Sequence, residues 1–365
     1  MKIFVTGLRG FPDVPGGVER HCEELYPRIA AMGHEVVVAV RAPYQTYPEG
    51  QWKGVVFESI DSPTSTRFEA ITHTCKAMFA ARRHKPDIVH IHAIGPSLMV
   101  PVGRLLGMRV VSTHHGHDYN RDKWGGFAKR MLKLGERLGC KFSNRVIVIS
   151  ESIRDALARM YNCRRTTVIP NGVTVRPRLD STTYLQSLGV EPGKYVLAVS
   201  RLVPEKGLHD LVAAFDKISG DIKLVIAGDS DHDSQYRRNL FRTAEENERL
   251  VMPGYVRGDD LAELYSHARL FVLPSYHEGL PIVALEAMSY GLPLLLSDIV
   301  PNKDVGLPER YYYPVGDVDA LAQGIGRMLG EEHEEGAFEQ MVREKYDWDL
   351  IARQTEQVYR EVAGG

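Results

Sequence analysis

The chain has 365 residues, 44% of them hydrophobic and 25% charged, with a formal net charge of −2. That length exceeds what one ordinary core organises, so two domains of soluble globular composition are expected. No apolar run approaches the ~18 residues needed to cross a bilayer, which excludes an integral membrane protein, and no nucleic-acid partner is expected.

In chain order, MKIFVTGLRG reads as a first strand with no signal peptide evident, because its apolar stretch reaches Gly and Arg at once. A helix over GVERHCEELYPRIAAMG follows, then the strands HEVVVAV, DIVHIHAIG, MRVVSTHHG and NRVIVISES, separated by helical or turn-forming sequence. Unbroken apolar strands joined by helices predict parallel sheets covered on both faces. Pro, Gly, Ser and Thr then gather, which places a linker near residues 174–194. The rhythm restarts with YVLAVSRL, IKLVIAGDS, LVMPGYV, RLFVLPS and PLLLSDI, and a helical stretch, FEQMVREKYDWDLIARQTEQVYREV, ends it. The predicted fold class is α/β, with two Rossmann-like doubly wound domains over 1–178 and 179–345. A last helix, about 346–365, is free to pack back on the first. Ligands of such sheets bind outside the carboxyl ends of the strands, so a cleft between two facing domains is the expected site.

The charge is unevenly spread. Residues 1–180 carry 27 Lys and Arg against 16 Asp and Glu, and residues 181–365 carry 18 against 31. A basic first half favours anions or an anionic membrane surface. The four cysteines, Cys22, Cys75, Cys140 and Cys163, form no C-x-x-C pair. Reduced thiols in a cytoplasmic protein are expected.

The run SYHEGLPIVALEAMSYGLP, residues 275–293, reads as a buried helix that nevertheless carries Glu278 and Glu286. Pro281 suits the first helical position, and Gly279 and Leu280 leave free backbone amides before it, a ready anion site. Two carboxylates beside such a site can accept from sugar and ribose hydroxyls, with a diphosphate between them. Equally, Glu278 can serve only the helix dipole and Glu286 can be a solvated flank. In AVSRLVPEKGLHDLVAAF, Arg201 and Lys206 follow a strand on a Gly-containing loop, which fits a phosphate clamp or ordinary surface charge.

These segments resemble the nucleotide-sugar domain of retaining GT-B glycosyltransferases of family four (glycosyl transferases group 1). The resemblance rests on SRLVPEKG, AGDS, PGYV and PSYHEGLPIVALEAMSYGLP, and it runs across nearly the whole chain. It implies that Arg201 and Lys206 hold the donor diphosphate, Glu278 binds donor sugar hydroxyls and Glu286 binds the ribose. Backbone around Tyr255 and Val256 would border the base. In RGFPDVPGGVERHCEEL, the pair Gly16–Gly17 is similar to the family's glycine loop, although a turn needing positive φ explains it as well. In VVSTHHGHDYNRDKW the family's His before Gly falls on His115, which the resemblance puts beside the reacting centre. The residues expected to carry catalysis are therefore His115, Glu278, Arg201 and Lys206. Asp118, Arg121, Lys123 and Trp124 extend the likeness to bacterial surface-polysaccharide enzymes, several of them rhamnosyltransferases.

The expected activity is sugar transfer from a nucleotide diphosphate sugar to a sugar or lipid-linked glycan acceptor, with no cofactor and no metal. Two other readings remain at this point: a metal hydrolase built on His115, His117 and Asp118 with His90 and His92, and a catalytically silent nucleotide-sugar-binding protein. His90 and His92 read more simply as satisfied core histidines. Asp229, Asp231 and Asp233 resemble a metal-binding D-x-D, but a solvated loop is expected. Finally, Lys129, Lys133, Arg137 and Lys141 align on one face of a helix over 127–142, beside Phe127, Met131, Leu134, Leu138 and Phe142. Such a helix either lies on an anionic membrane, peripheral to its inner face, or buries its apolar side in the core.

Overall fold

A computed structural model describes residues 1–14, 16–44, 47, 50–61, 69–120, 125–230, 233–332 and 338–365, with Asn120 described by its backbone. Arg121, Lys123, Trp124 and Asp231 lie outside the described residues. Contacts divide the chain into two units, Met1–Gly172 with Trp348–Gly365, and Val173–Asp347.

The first unit holds β1 (Lys2–Thr6), β2 (Glu35–Arg41), β3 (Gln51–Trp52), β4 (Val55–Ile60), β5 (Ile88–His92), β6 (Val110–His114), β7 (Arg145–Val148) and β8 (Thr166–Val168). They form one sheet in the order β3-β4-β2-β1-β5-β6-β7-β8. Every pairing is parallel except that of β3 with β4. Successive side chains point to opposite faces, and both faces are covered. Ile3, Val5, Val36 and Val38 join one apolar cluster with Tyr26, Ile29, Trp348 and Tyr359. Phe4, Val37, Val89 and Ile91 join a second with Met78, Ala81 and Val100. Each such aliphatic side chain contributes about 1.5–3 kcal/mol on burial. The two-sided demand is why these strands are apolar throughout.

The final helix, Trp348–Gly364, packs in the first of these clusters against the helix Gly17–Ala31. Gly172 is required there, because a Cβ on it would lie 2.5 Å from Trp348 Cδ2.

The second unit holds β9 (Tyr195–Val199), β10 (Lys223–Ala227), β11 (Leu250–Gly254), β12 (Leu270–Leu273), β13 (Leu294–Ser297) and β14 (Tyr312–Tyr313). All pair in parallel, in the order β11-β10-β9-β12-β13-β14. In both sheets the winding reverses beside the unit's first strand, between β1 and β5 and between β9 and β12. The carboxyl ends of the strands at such a reversal are the usual ligand position in open sheets of this kind. Among the described residues no helix is long and apolar enough to cross a membrane.

Candidate functional site

In the second unit, Arg201 and Lys206 leave β9 and Glu278 leaves β12, the two strands flanking the reversal. Their loops are stitched together. Gly207 takes φ +63°, and a Cβ there would come within 2.2 Å of the Pro274 carbonyl oxygen. The Tyr276 amide donates to the Glu205 carbonyl at 2.9 Å. This close approach delivers Lys206 Nζ to 2.5 Å from Glu278 Oε1, which also accepts from Ser275 Oγ at 2.7 Å. Both charged side chains are mostly buried, whereas Arg201 is 44% exposed and its acid contact, Glu205, stands 3.9 Å away. An exposed pair at that separation is worth little. The guanidinium is therefore available to a stronger anion.

The helix after this loop spans Ile282–Ser289, and Pro281 is its N-cap (φ −75°, ψ 94°) rather than its first residue. The reason is local. An extended ψ at Pro281 turns its carbonyl into the acceptor for the amides of Ala284 and Leu285. Gly279 lies in the preceding loop, and Leu280 is buried. Glu286, on the helix, accepts from the buried Tyr265 phenol at 3.2 Å. Burial first, and the Glu286 charge second, push the Tyr265 pKa well up, so this phenol is a donor. Tyr255 and Val256 follow β11 at its carboxyl end, Tyr255 exposed and Val256 buried.

Asp229 and Asp233 of the GDSDHDSQY segment are tied to arginines. Asp229 grips Arg237 through Nε and Nη2 at 2.5 and 3.0 Å, and Asp233 meets Arg238 at 2.5 Å. The Arg237 hydrogen bond holds the Asp229 carboxyl below its usual range.

In the first unit, Gly16 (φ +147°) precedes the helix Gly17–Ala31, and a Cβ on it would strike Glu19 Oε2 at 2.0 Å. Glu19 is buried and bound by Arg9 Nε at 3.0 Å. Gly16 thus satisfies a backbone and packing demand, while a Cβ on Gly17 would meet no other described residue within 4 Å beyond its chain neighbours. At the carboxyl end of β5 and β6 four histidines gather. His115 Nε2 lies 2.9 Å from His92 Nδ1, and the two rings stack at 5.2 Å. His21 stands edge-on to His115 at 4.9 Å and bonds Asn171 Oδ1 through Nδ1 at 3.1 Å. Burial holds His21 neutral down to about pH 4 and His90 to about 3, and it lowers His92 and His115 well below their usual range.

His114 and His117 point elsewhere. Both bond Oε1 of the buried Glu136, at 2.7 and 2.9 Å, and Tyr161 donates to its Oε2 at 2.8 Å. Burial pushes this carboxyl up, but these hydrogen bonds outweigh it and hold the pKa at about 2. The hydrolase constellation is therefore divided. His117 serves Glu136, His90 bonds Thr113 and Tyr359, and His115 joins His92. Two triplets, His21–His92–His115 and His114–His117–Glu136, hold ligand-type atoms within 4.8 Å of one another. In the second, His114 Nε2 and His117 Nδ1 both bond Glu136 Oε1, and in the first His92 Nδ1 bonds His115 Nε2 while His21 Nδ1 bonds Asn171.

Glu136, Tyr26, Asn171 and Ser275 had escaped the sequence reading. Glu136 lies on a helix, Gly126–Phe142, whose buried side is a stripe of small residues. A Cβ at Gly135 would meet the Ile94 carbonyl oxygen at 2.1 Å, and one at Gly139 would meet Ser97. Three of the apolar residues do not face inward, Phe127, Leu134 and Phe142 being exposed at 74%, 42% and 37%, whereas Met131 and Leu138 are half-buried. Lys133, Arg137 and Lys141 are exposed around them, as is Arg130, whereas Lys129 is half-buried.

Residues 15–176 match the family described as Glycosyltransferase Family 4, and residues 180–345 match Glycosyl transferases group 1. A glycosyltransferase of Methanocaldococcus jannaschii, itself uncharacterised, is 29% identical over 402 residues, covering 99% of this chain and 98% of that protein. Sucrose-phosphate synthase from Thermosynechococcus elongatus superposes with a TM-score of 0.84 at 23% identity, over 99% of this chain and 98% of the other. Anabaena HepE in complex with UDP gives 0.81 at 18%, over 99% and 100%. With two parallel-sheet units of the GT-B type, and family matches to each, the chain belongs to the group 1, family 4 glycosyltransferases.

Proposed function

We propose that the protein is a retaining, metal-independent glycosyltransferase that moves a sugar from a nucleotide diphosphate sugar to an acceptor hydroxyl. The single observation that carries this reading is the joining of Lys206 to Glu278 beside an available Arg201, at the reversal point of the second sheet. Cleaving the bond between the sugar and the diphosphate leaves positive charge on the sugar and builds negative charge on the leaving phosphate. Arg201, Lys206 and the backbone at Gly279–Leu280 supply fixed positive charge and donors to that phosphate. Glu278 and Glu286 take the flanking sugar and ribose hydroxyls, and Tyr255 and Val256 border the base. Gly17 gives substrate room to approach the backbone.

Retention rests on family likeness. The acceptor oxygen attacks from the leaving-group side, and the departing phosphate oxygen takes its proton, so no separate base is needed. His115 takes the role beside the reacting centre. The acceptor is assigned to a surface polysaccharide or a lipid-linked glycan, met at the cytoplasmic face of an anionic membrane. The exposed Phe127, Leu134 and Phe142 among exposed cations support that placement. The test is transfer from a panel of nucleotide sugars, with the product anomer read by NMR and the rate measured with and without EDTA. An inverted product contradicts retention, and loss of rate in EDTA contradicts metal independence. Nucleotide binding without transfer to any acceptor favours the silent binder instead.

A further inference from the structure

Behind Glu278 lies a chain of buried polar contacts that the reading above does not use. Ser275 Oγ lies 2.7 Å from Glu278 Oε1, the oxygen that Lys206 Nζ also holds. The Ser275 carbonyl meets Ser297 Oγ at 2.5 Å, and Ser297 Oγ meets Asn302 Nδ2 at 2.9 Å. The same nitrogen lies 2.9 Å from the Ser297 carbonyl oxygen. Ser275, Ser297 and Asn302 are fully buried. Ser297 ends β13, and Asn302 lies on the short helix Val300–Lys303 that follows it.

Each link contains a group with only one possible role, so the direction of donation is settled throughout. An ionised carboxylate only accepts, and a hydroxyl has one proton. The Ser275 proton therefore goes to Glu278 Oε1. The Ser275 carbonyl only accepts, so it takes the Ser297 proton, and Ser297 Oγ accepts from Asn302. The backbone around Ser275 is fixed as well, because Pro274 packs on Gly207 and the Tyr276 amide donates to Glu205. Lys206, by contrast, holds the carboxylate with an ammonium on a flexible four-carbon stem, which can turn towards a stronger anion. Glu278 Oε2 accepts from no described residue and is not sealed in the core.

We infer that Ser275 is a positioning residue for the donor sugar: it holds Glu278 by Oε1, so that Oε2 meets a sugar hydroxyl and stays in register when the Lys206 ammonium turns to the diphosphate. Ser297 and Asn302 hold Ser275 in turn. The identity of the ligand rests on the proposed function, but the hydrogen-bonded chain does not. Ser275 therefore acts on the sugar and not on the nucleotide.

The test uses the full-length protein and calorimetry without acceptor. The probes are UDP-glucose, GDP-mannose, dTDP-rhamnose and ADP-glucose, each beside its own nucleoside diphosphate. For the nucleotide sugar that binds, Ser275→Ala is expected to weaken affinity about tenfold, the effect of losing one hydrogen bond to a charged group. Affinity for the matching diphosphate is expected to be unchanged. Ser297→Ala loosens Ser275 without touching Glu278, so it is expected to show the same split at smaller size, and it replaces Ser275→Ala should that variant not fold. A merely structural loss would weaken both ligands alike, because Arg201 and Lys206 belong to the same joined loops. Equal weakening of both ligands, or of neither, overturns the inference and leaves the proposed function standing. Binding of a diphosphate but of no nucleotide sugar overturns it too. Binding of none of these ligands by the unsubstituted protein overturns the proposed function, and the inference with it.

Discussion

Lys206 Nζ and Glu278 Oε1, 72 positions apart in sequence, stand 2.5 Å from each other, with Ser275 Oγ donating to the same carboxylate oxygen. On the proposed function, a diphosphate competes for the ammonium and frees the carboxylate for a sugar hydroxyl. Lys206→Ala and Glu278→Gln should each lower turnover by about 10²–10³, the range for removing one preorganised contact to the leaving group. Steady-state transfer rates check this, and near-unchanged rates in both variants would remove the pair from catalysis.

Arg201 separates activity from stability. Its side chain is half exposed with a distant acid contact, so Arg201→Ala should shift unfolding by no more than about 0.5 kcal/mol. The same change should cost orders of magnitude in turnover. Arg201→Lys should recover part of it, because a lysine supplies the charge without the two-pronged fork. Urea unfolding beside kinetics reads both.

Glu286 should act on affinity. Charge-assisted hydrogen bonds are worth about 1.5–3 kcal/mol, so Glu286→Ala should weaken nucleoside diphosphate binding by roughly 10–100-fold in calorimetry. Tyr265→Phe leaves the carboxylate in place and should weaken it much less.

Stability should fall on acidification in two stages. His21 and His90 stay neutral in the fold down to about pH 4 and 3, while the unfolded chain protonates them near 6.5. Their contribution is whole above pH 6.5 and declines as pH falls towards those values, by about 1.4 kcal/mol per unit for each group. Glu136, held at about 2 against 4.5, adds a second loss that begins near pH 4.5 and runs towards 2. Unfolding midpoints from pH 7.5 to 3 should show a limb below 6.5 that steepens below 4.5, and Glu136→Gln should flatten the lower part. A midpoint level between pH 7 and 5 would contradict the buried neutral histidines.

The helix Gly126–Phe142 should bring the protein to anionic vesicles. Phe127→Ser with Leu134→Ser removes two exposed apolar side chains and should weaken co-sedimentation at least about tenfold. Added salt should weaken it further by screening the cations.

Much of this was legible because some signals are local. Unbroken Val and Ile runs between helices follow from sheets buried on both faces, and Arg201, Lys206, Glu278 and Glu286 sit on loops and a helix start with their own sequence marks. Partnerships across the fold leave no such mark. Nothing in the sequence joins His90 to Tyr359, 269 positions away, or His21 to Asn171, 150 away. Glu136 reads as one more charge on a basic helix until folding sets it between His114 and His117. The same helix shows why periodicity misled. Gly135 and Gly139, not Leu134 and Phe142, make the inward face, because close backbone approach at Ile94 and Ser97 demands them. At Pro281 the missing amide permits either the cap or the first turn, and only the backbone dihedral decides.

The central claim is that Arg201, Lys206 and their neighbours form a diphosphate site. Thermal unfolding with the diphosphates of uridine, guanosine, thymidine and adenosine tests it most directly, for the unsubstituted protein and Lys206→Ala. At 100 times its dissociation constant, one of them should add ~2.7 kcal/mol of stability, and the variant should lose most of that gain at the same concentration. No shift with any of the four, or an equal shift in the variant, would contradict the account.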